Sequence, residues 1–272
     1  MAERRRGNVQ SVDRALDVLE ALSTTGELGV SEVATRTGLS ASTAHRLLAG
    51  LSNRGYVAQN PESGRYLLGF KVLELTGGLE VLTSPLRAAA RPYLERVQQA
   101  TSETTNLCIL DGDRVIYVDQ VEGSHSVRMF TRLGRSALAH TTGSGKAILT
   151  YRPPDAIEKL YPRSREPFER LTPRTLTTLD ALRDDFVRIR RRGYALDTEE
   201  HEEGVTCVAT PVFDSAGFAC AAISISGPTA RIDGADTREL GDMLHGHAAA
   251  VSAALGYKES EENARSDASG TR

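Results

Sequence analysis

Residues 31 to 68 carry the pattern that most limits this chain: two short capped helices parted by a glycine, a second glycine stop, and then a tight hairpin. Ser31 reads as an N-cap with Glu32 in the first turn, and the helix Ser31 to Thr37 stops at Gly38. Ser40 caps the next helix, whose apolar residues Ala44, Leu47, Leu48 and Leu51 fall at i, i+3, i+4 and i+7 until Gly55 closes it. Tyr56 to Gln59, the turn Asn60-Pro61-Glu62-Ser63-Gly64 and Arg65 to Leu68 then form a hairpin signal. Upstream, Val9, Val12, Leu16 and Leu19 predict an amphipathic helix from about Asn8 to Leu22. A helix-turn-helix followed by a hairpin is a winged helix-turn-helix. Its outer face offers Ser42, Thr43, His45, Arg46 and Asn53 to a major groove or a phosphate, with Arg65 in the wing and Arg4 to Arg6 in an N-terminal arm.

Charge supports this only locally. The chain carries net −3, yet between Arg36 and Lys71 five cations oppose the single acid Glu62. With 40% hydrophobic and 25% charged residues it reads as globular. Its 272 residues are enough for two cores. The apolar runs are too short for a bilayer, and no apolar segment follows the basic start, so neither secretion nor membrane insertion is expected. Cys108, Cys207 and Cys220 make an odd number without CxxC spacing, which fits a reducing cytoplasm and no structural zinc.

Lys71 to Leu82 reads as a linker helix weakened by Gly77-Gly78, after which Ser84-Pro85 starts a longer helix with the stripe Leu86, Ala89, Ala90, Tyr93, Leu94 and Val97. Strands follow at Leu107 to Leu110 and Val115 to Val118 around the turn Asp111-Gly112-Asp113, and a third is expected at Val127 to Thr131. A short helix covers Ser144 to Tyr151. Another runs from Leu179 to Arg192, where last-turn arginines before Gly193 suit the negative end of the helix dipole better than a nucleic acid. Helix Asp236 to Leu255 and a polar tail close the chain. Val205 to Phe213 and Phe218 to Ile225 are strands joined by Asp214 to Gly217. A symmetric loop would set Cys207 opposite Ser224 and Val205 opposite Ser226, with Cys207, Ser224 and Ser226 on one face and Ile223 and Ile225 on the other. Small polar groups on one strand face make a pocket floor. The backbone N–H groups of Gly143 and Ser144, at a helix start, would favour a carboxylate.

The run VSEVATRTGLSASTAHRLLAGLSNRGYV at Val30 to Val57, with GRYLLG at Gly64 to Gly69, closely resembles the IclR family of bacterial transcription regulators. HTTGSGKAIL at His140 to Leu149, GYALDTEEHEEGVTCVATPVFD at Gly193 to Asp214 and ISISGP at Ile223 to Pro228 resemble that family's effector-domain signatures, so the likeness covers about residues 8 to 256. The resemblance implies an α+β two-domain chain. Residues 8–70 would form the winged helix-turn-helix, 71–84 the linker helix and 85–256 a mixed α/β effector-binding and oligomerisation domain, with a mainly antiparallel, GAF/profilin-like sheet. A disordered tail, 257–272, would follow. It also implies a repressor whose small organic, carboxylate-bearing effector meets Gly143, Ser144, Asp197, Cys207, Ser224 and Ser226, acting as a homodimer or tetramer on a near-palindromic duplex operator without a cofactor.

Three other patterns are set aside. Gly143-Ser144-Gly145-Lys146 lacks the glycine and hydroxyl of a phosphate loop, having His140 and Ala147 at those places. The acidic loop Glu199 to Glu203 around His201 reads as a solvated loop rather than a metal site, and His245 and His247 point to different helix faces. Cys207 with His201 or His140 and Asp197 would be the parts of a cysteine-dependent hydrolase of small amides or esters, the rival reading, but Cys207 sits mid-strand where no helix dipole would lower its pKa.

Overall fold

Apolar spacing in the first eighty residues builds one small core. The computed structural model, which describes residues 9–129 and 132–258, divides into two compact units at Leu82/Thr83. In the first, α1 (Gln10–Thr25), α2 (Val30–Thr37) and α3 (Ala41–Asn53) precede β1 (Val57–Gln59) and β2 (Tyr66–Leu68). Val18, Leu22, Val33, Ala44, Leu48 and Val57 fill its interior. Ser40 Oγ accepts the Thr43 N–H at 3.2 Å as the expected cap, and Gly55 has φ +77°. The cap of α2 is Gly29, not Ser31: the Glu32 carboxylate reaches back to accept the Gly29 N–H at 2.7 Å, starting the helix earlier. Leu28 exchanges two backbone hydrogen bonds with Tyr66, adding a third rung to the wing that the hairpin pattern did not announce. On α1 most of the predicted stripe is exposed, and of its four residues Leu19 alone packs against the core. Val18 and Leu22 face the core, while Val9, Val12 and Leu16 lie more than half exposed.

Helix α4 (Lys71–Thr101) runs unbroken through Ser84-Pro85, so Ser84 caps nothing. Pro85 deprives only the Val81 carbonyl of a donor, and Val81 is 75% exposed, so water can replace the lost bond. In the second unit β3 (Thr104–Asp111), β4 (Arg114–Val121), β5 (Ser136–Leu138), α5 (Gly143–Leu149), α6 (Pro154–Leu160), α7 (Leu179–Arg192), β6 (Ala195–Thr198), β7 (Val205–Phe213), β8 (Ala219–Pro228), α8 (Thr229–Ile232) and α9 (Thr237–Ala254) follow. The strands form one antiparallel sheet in the order β5-β4-β3-β8-β7-β6. Ala90, Leu94 and Val97 of α4 and Leu244, Ala248 and Val251 of α9 pack with Leu107, Val208, Ile223 and Ile225 on one face. Ala147 and Ile148 of α5 and Leu182, Phe186 and Ile189 of α7 pack with Cys108, Cys207, Ala209 and Ala222 on the other.

The strand expected at Val127 to Thr131 does not form at Val127 to Met129, and Phe130 and Thr131 lie outside the described residues. Arg231 takes the Val127 carbonyl at 2.8 Å and Thr104 Oγ1 takes that of Met129 at 2.8 Å, so side chains satisfy what a ladder would have. Strand β5 pairs with β4 instead, led in by bonds from Gly134 N to Tyr117 O and Tyr117 N to Arg135 O. Three of the arginines ending α7 are engaged within the unit: Arg188 pairs with Asp185, Arg190 donates to Thr150 O, and Arg192 donates to Tyr194 O. Residues 4–6 and most of the polar tail lie outside the described residues.

Candidate functional site

On α3, Ser42, His45, Arg46 and Asn53 are exposed together on one face, His45 and Arg46 lying three and four residues after Ser42 and Asn53 seven after Arg46. His45 and Arg46 make no hydrogen bond or ion pair among the described residues, which leaves their donors open. Thr43 is different, because its Oγ1 lies 2.8 Å from Ser40 Oγ and is held in the cap. Arg65 is also engaged: Nη2 donates to Glu32 Oε2 at 2.6 Å and to Glu27 O at 3.1 Å. The Gly29 N–H and then Arg65 hold the Glu32 carboxyl below its usual range.

The second set of residues converges on the α5 side of the large sheet. Cys207 pairs with Ser226 rather than Ser224, Ala209 takes Ser224, and Val205 takes Pro228. Two causes add up. A bond from Asp214 N to Phe218 O draws Phe218 into the loop, and a bulge leaves Cys220 unmatched between Ala219 and Ala221. A shift of two keeps the faces, so Cys207, Ser224 and Ser226 still share one. Asp197 is the cross-strand partner of Cys207 on β6. All four are buried, as are Gly143 and Ser144.

Glycine makes the approach of α5 possible. A Cβ on Gly143 would lie 3.1 Å from Cys207 Sγ, and one on Gly145 would run into the Ala139 carbonyl. The GSGK sequence is thus a packing device, and its lysine is an ion-pair centre: fully buried Lys146 lies 2.9 Å from Asp185 Oδ2 and 2.5 Å from Glu200 Oε1. Glu200 therefore turns inward, against the expectation of a solvated loop at 199–203. Thr172 and Thr175 hydroxyls tie down the Glu199 and Glu200 carbonyls as well. Among the described residues no cluster of ligating side chains fits a metal ion.

Burial raises the Cys207 thiol to about 11, with the Asp197 charge adding to it, while Ser226, Ser224 and the Ser144 N–H pull the other way. Burial likewise raises Cys108 to about 12 against a bond from Ser144. Neither sulfur is a thiolate near neutral pH. His201 Nδ1 lies 2.8 Å from Thr141 Oγ1 and His140 Nε2 lies 3.0 Å from Glu169 O, so neither of these contacts is with Cys207. Asp197 is raised to about 7, by burial first and Glu200 second, although its Oδ1 accepts N–H groups from Glu200 at 2.7 Å and His201 at 3.3 Å. Sequence reasoning missed Asn106, Cys108, Tyr117 and Lys146, whose inward orientation only the sheet and helix packing reveals.

Both parts of the chain match known proteins. Residues 80–253 match the family model described as bacterial transcriptional regulator IclR C-terminal, and residues 11–61 match the IclR helix-turn-helix domain. The chain is similar to the HTH-type transcriptional regulator XynR of Escherichia coli K12, at 36% identity over 250 residues, covering 92% of this chain and 98% of XynR. It is 34% identical over 253 residues to the transcriptional repressor IclR of the same strain, covering 92% and 91%. Among solved structures, an IclR homologue from Microbacterium hydrocarbonoxydans in complex with 4-hydroxybenzoate superposes with a TM-score of 0.74 at 26% identity, covering 90% and 98%.

Proposed function

Because the chain belongs to the IclR family of bacterial transcriptional regulators, and is a DNA-binding regulator rather than an enzyme, we propose that it is a repressor released or tightened by a small organic acid. The observation that carries the effector reading is the buried polar cluster of Ser144, Asp197, Cys207, Ser224 and Ser226 between α5 and the sheet. A carboxylate there would accept from the serine hydroxyls and the Gly143 and Ser144 N–H groups, while protonated Asp197 donates rather than repels. The aromatic acid bound by the Microbacterium homologue supports this class.

On the DNA side, Arg46, His45, Ser42 and Asn53 are the groove-facing groups, and Arg65 reaches phosphate only by exchanging its bond to Glu32. The protein works in the cytoplasm as a homodimer or tetramer. A second copy covers the apolar groove that Val12, Leu16 and Leu19 of α1 form with Leu51, Tyr56, Leu68, Val72 and Leu75, giving the two-fold pair of α3 helices that a near-palindromic operator requires. Footprinting on the gene's own upstream region, with and without a panel of organic acids, tests the whole reading. Expected is protection of a two-fold site that one acid alters; indifference to every promoter fragment over random duplex would reject it.

A further inference from the structure

Among the described strand side chains on the α5 face of the sheet, two buried atoms have no hydrogen-bond partner, Asn106 Oδ1 and Gln120 Nε2. The two residues are cross-strand partners on β3 and β4, and Asn106 is also the partner of Ser224 on β8, so all three side chains share one face. Asn106 is fully buried. Its Nδ2 reaches Ser226 Oγ and Ser224 Oγ only at 3.4 and 3.5 Å, the outer edge of hydrogen bonding. With Nδ2 toward Ser224 and Ser226, Oδ1 is the end left without a partner. A bare buried amide costs stability and is retained where something else uses it.

We propose that Asn106, with Gln120 beside it, is a specificity-determining contact of the effector site, reading a hydroxyl on the effector; the inference rests on the effector reading above. A hydroxyl is the group that suits both bare atoms at once, since its proton can go to Asn106 Oδ1 while its oxygen accepts from Gln120 Nε2. An ether or halide serves only the second and an ammonium only the first. The effector is then a hydroxy-substituted acid, its carboxylate toward Ser144 and its hydroxyl toward β3 and β4.

Calorimetry on the full chain with matched pairs tests this: 4-hydroxybenzoate against benzoate, lactate against propionate, and the primary amides of all four. The wild type should prefer the hydroxylated member of a bound pair by about tenfold or more, because a site built to bond a hydroxyl rejects the analogue without one. Asn106→Leu should bring that ratio to within about twofold while still binding the unhydroxylated member, and Gln120→Leu should reduce it in part. Without ligand, Asn106→Leu should leave Tm unchanged or raise it by about 2–4 °C, as loss of an unsatisfied group would. Equal binding within every bound pair by the wild type, a ratio that survives Asn106→Leu, or a Tm lowered by that substitution would each overturn the proposal. Binding of hydroxylated amides but not acids would remove the carboxylate reading and leave the hydroxyl contact standing.

Discussion

Asp197 shows how one buried side chain can set the response of the whole site. Its carboxyl is raised to about 7, so the proton is held below that pH and released above it. An anionic effector favours the protonated form, hence its affinity should be level below pH 7 and fall by up to about tenfold per pH unit above. Asp197→Asn keeps the Oδ1 acceptor for Glu200 and His201 N–H and should flatten that profile, holding at pH 8 the affinity the wild type has at pH 6. Calorimetry from pH 6 to 8.5 measures it, and an unchanged slope in the variant would exclude Asp197 as the titrating group. On α3, Arg46→Ala should cost about 1–3 kcal/mol of operator binding and relax preference at one base position, read by competition against single-base operator variants. The serines and Cys207 were legible because alternation in a strand assigns faces without knowing the partner. Asn106 and Lys146 were not, since an isolated Asn or Lys in sequence is usually a surface residue.

At the scale of elements, periodicity found the helices but not always their inward side. Helix α1 carries two apolar rows, Val18 with Leu22 and Val12 with Leu16, both compatible with helical spacing; only packing against α2 and α3 selects the first. The rejected row has a consequence if a second copy covers it. Leu16→Asp, at a position 51% exposed, should change stability by no more than about 0.5 kcal/mol. It should nevertheless lower the oligomeric state in sedimentation and weaken operator binding; an unchanged sedimentation profile would move the dimer contact elsewhere. The β7–β8 hairpin teaches the same lesson in register, where a loop residue and the Cys220 bulge together shifted the pairing by two and so spared the face assignment.

For the molecule as a whole, the proposed function requires coupling between effector and operator binding, and coupling is reciprocal. If the effector weakens operator binding by some factor, saturating operator DNA should weaken effector binding by the same factor, about 5–150-fold for a typical coupling of 1–3 kcal/mol. Anisotropy with labelled operator and calorimetry with the protein–DNA complex measure the two sides; an operator affinity that no bound acid changes would reject the coupling, and weakening that grows without limit as either partner saturates would mean that the acid and the DNA compete at one place. By itself the sequence determined the winged helix-turn-helix, the β3–β4 and β7–β8 hairpins and the polar strand face, because caps, glycine stops and alternation are local consequences of backbone geometry. Tertiary structure decided which row of α1 stays exposed, that Glu200 and Asp185 enclose Lys146, and that Asn106 is buried with its Oδ1 unpaired. Those depend on what a distant segment brings to the same point, which no local spacing contains.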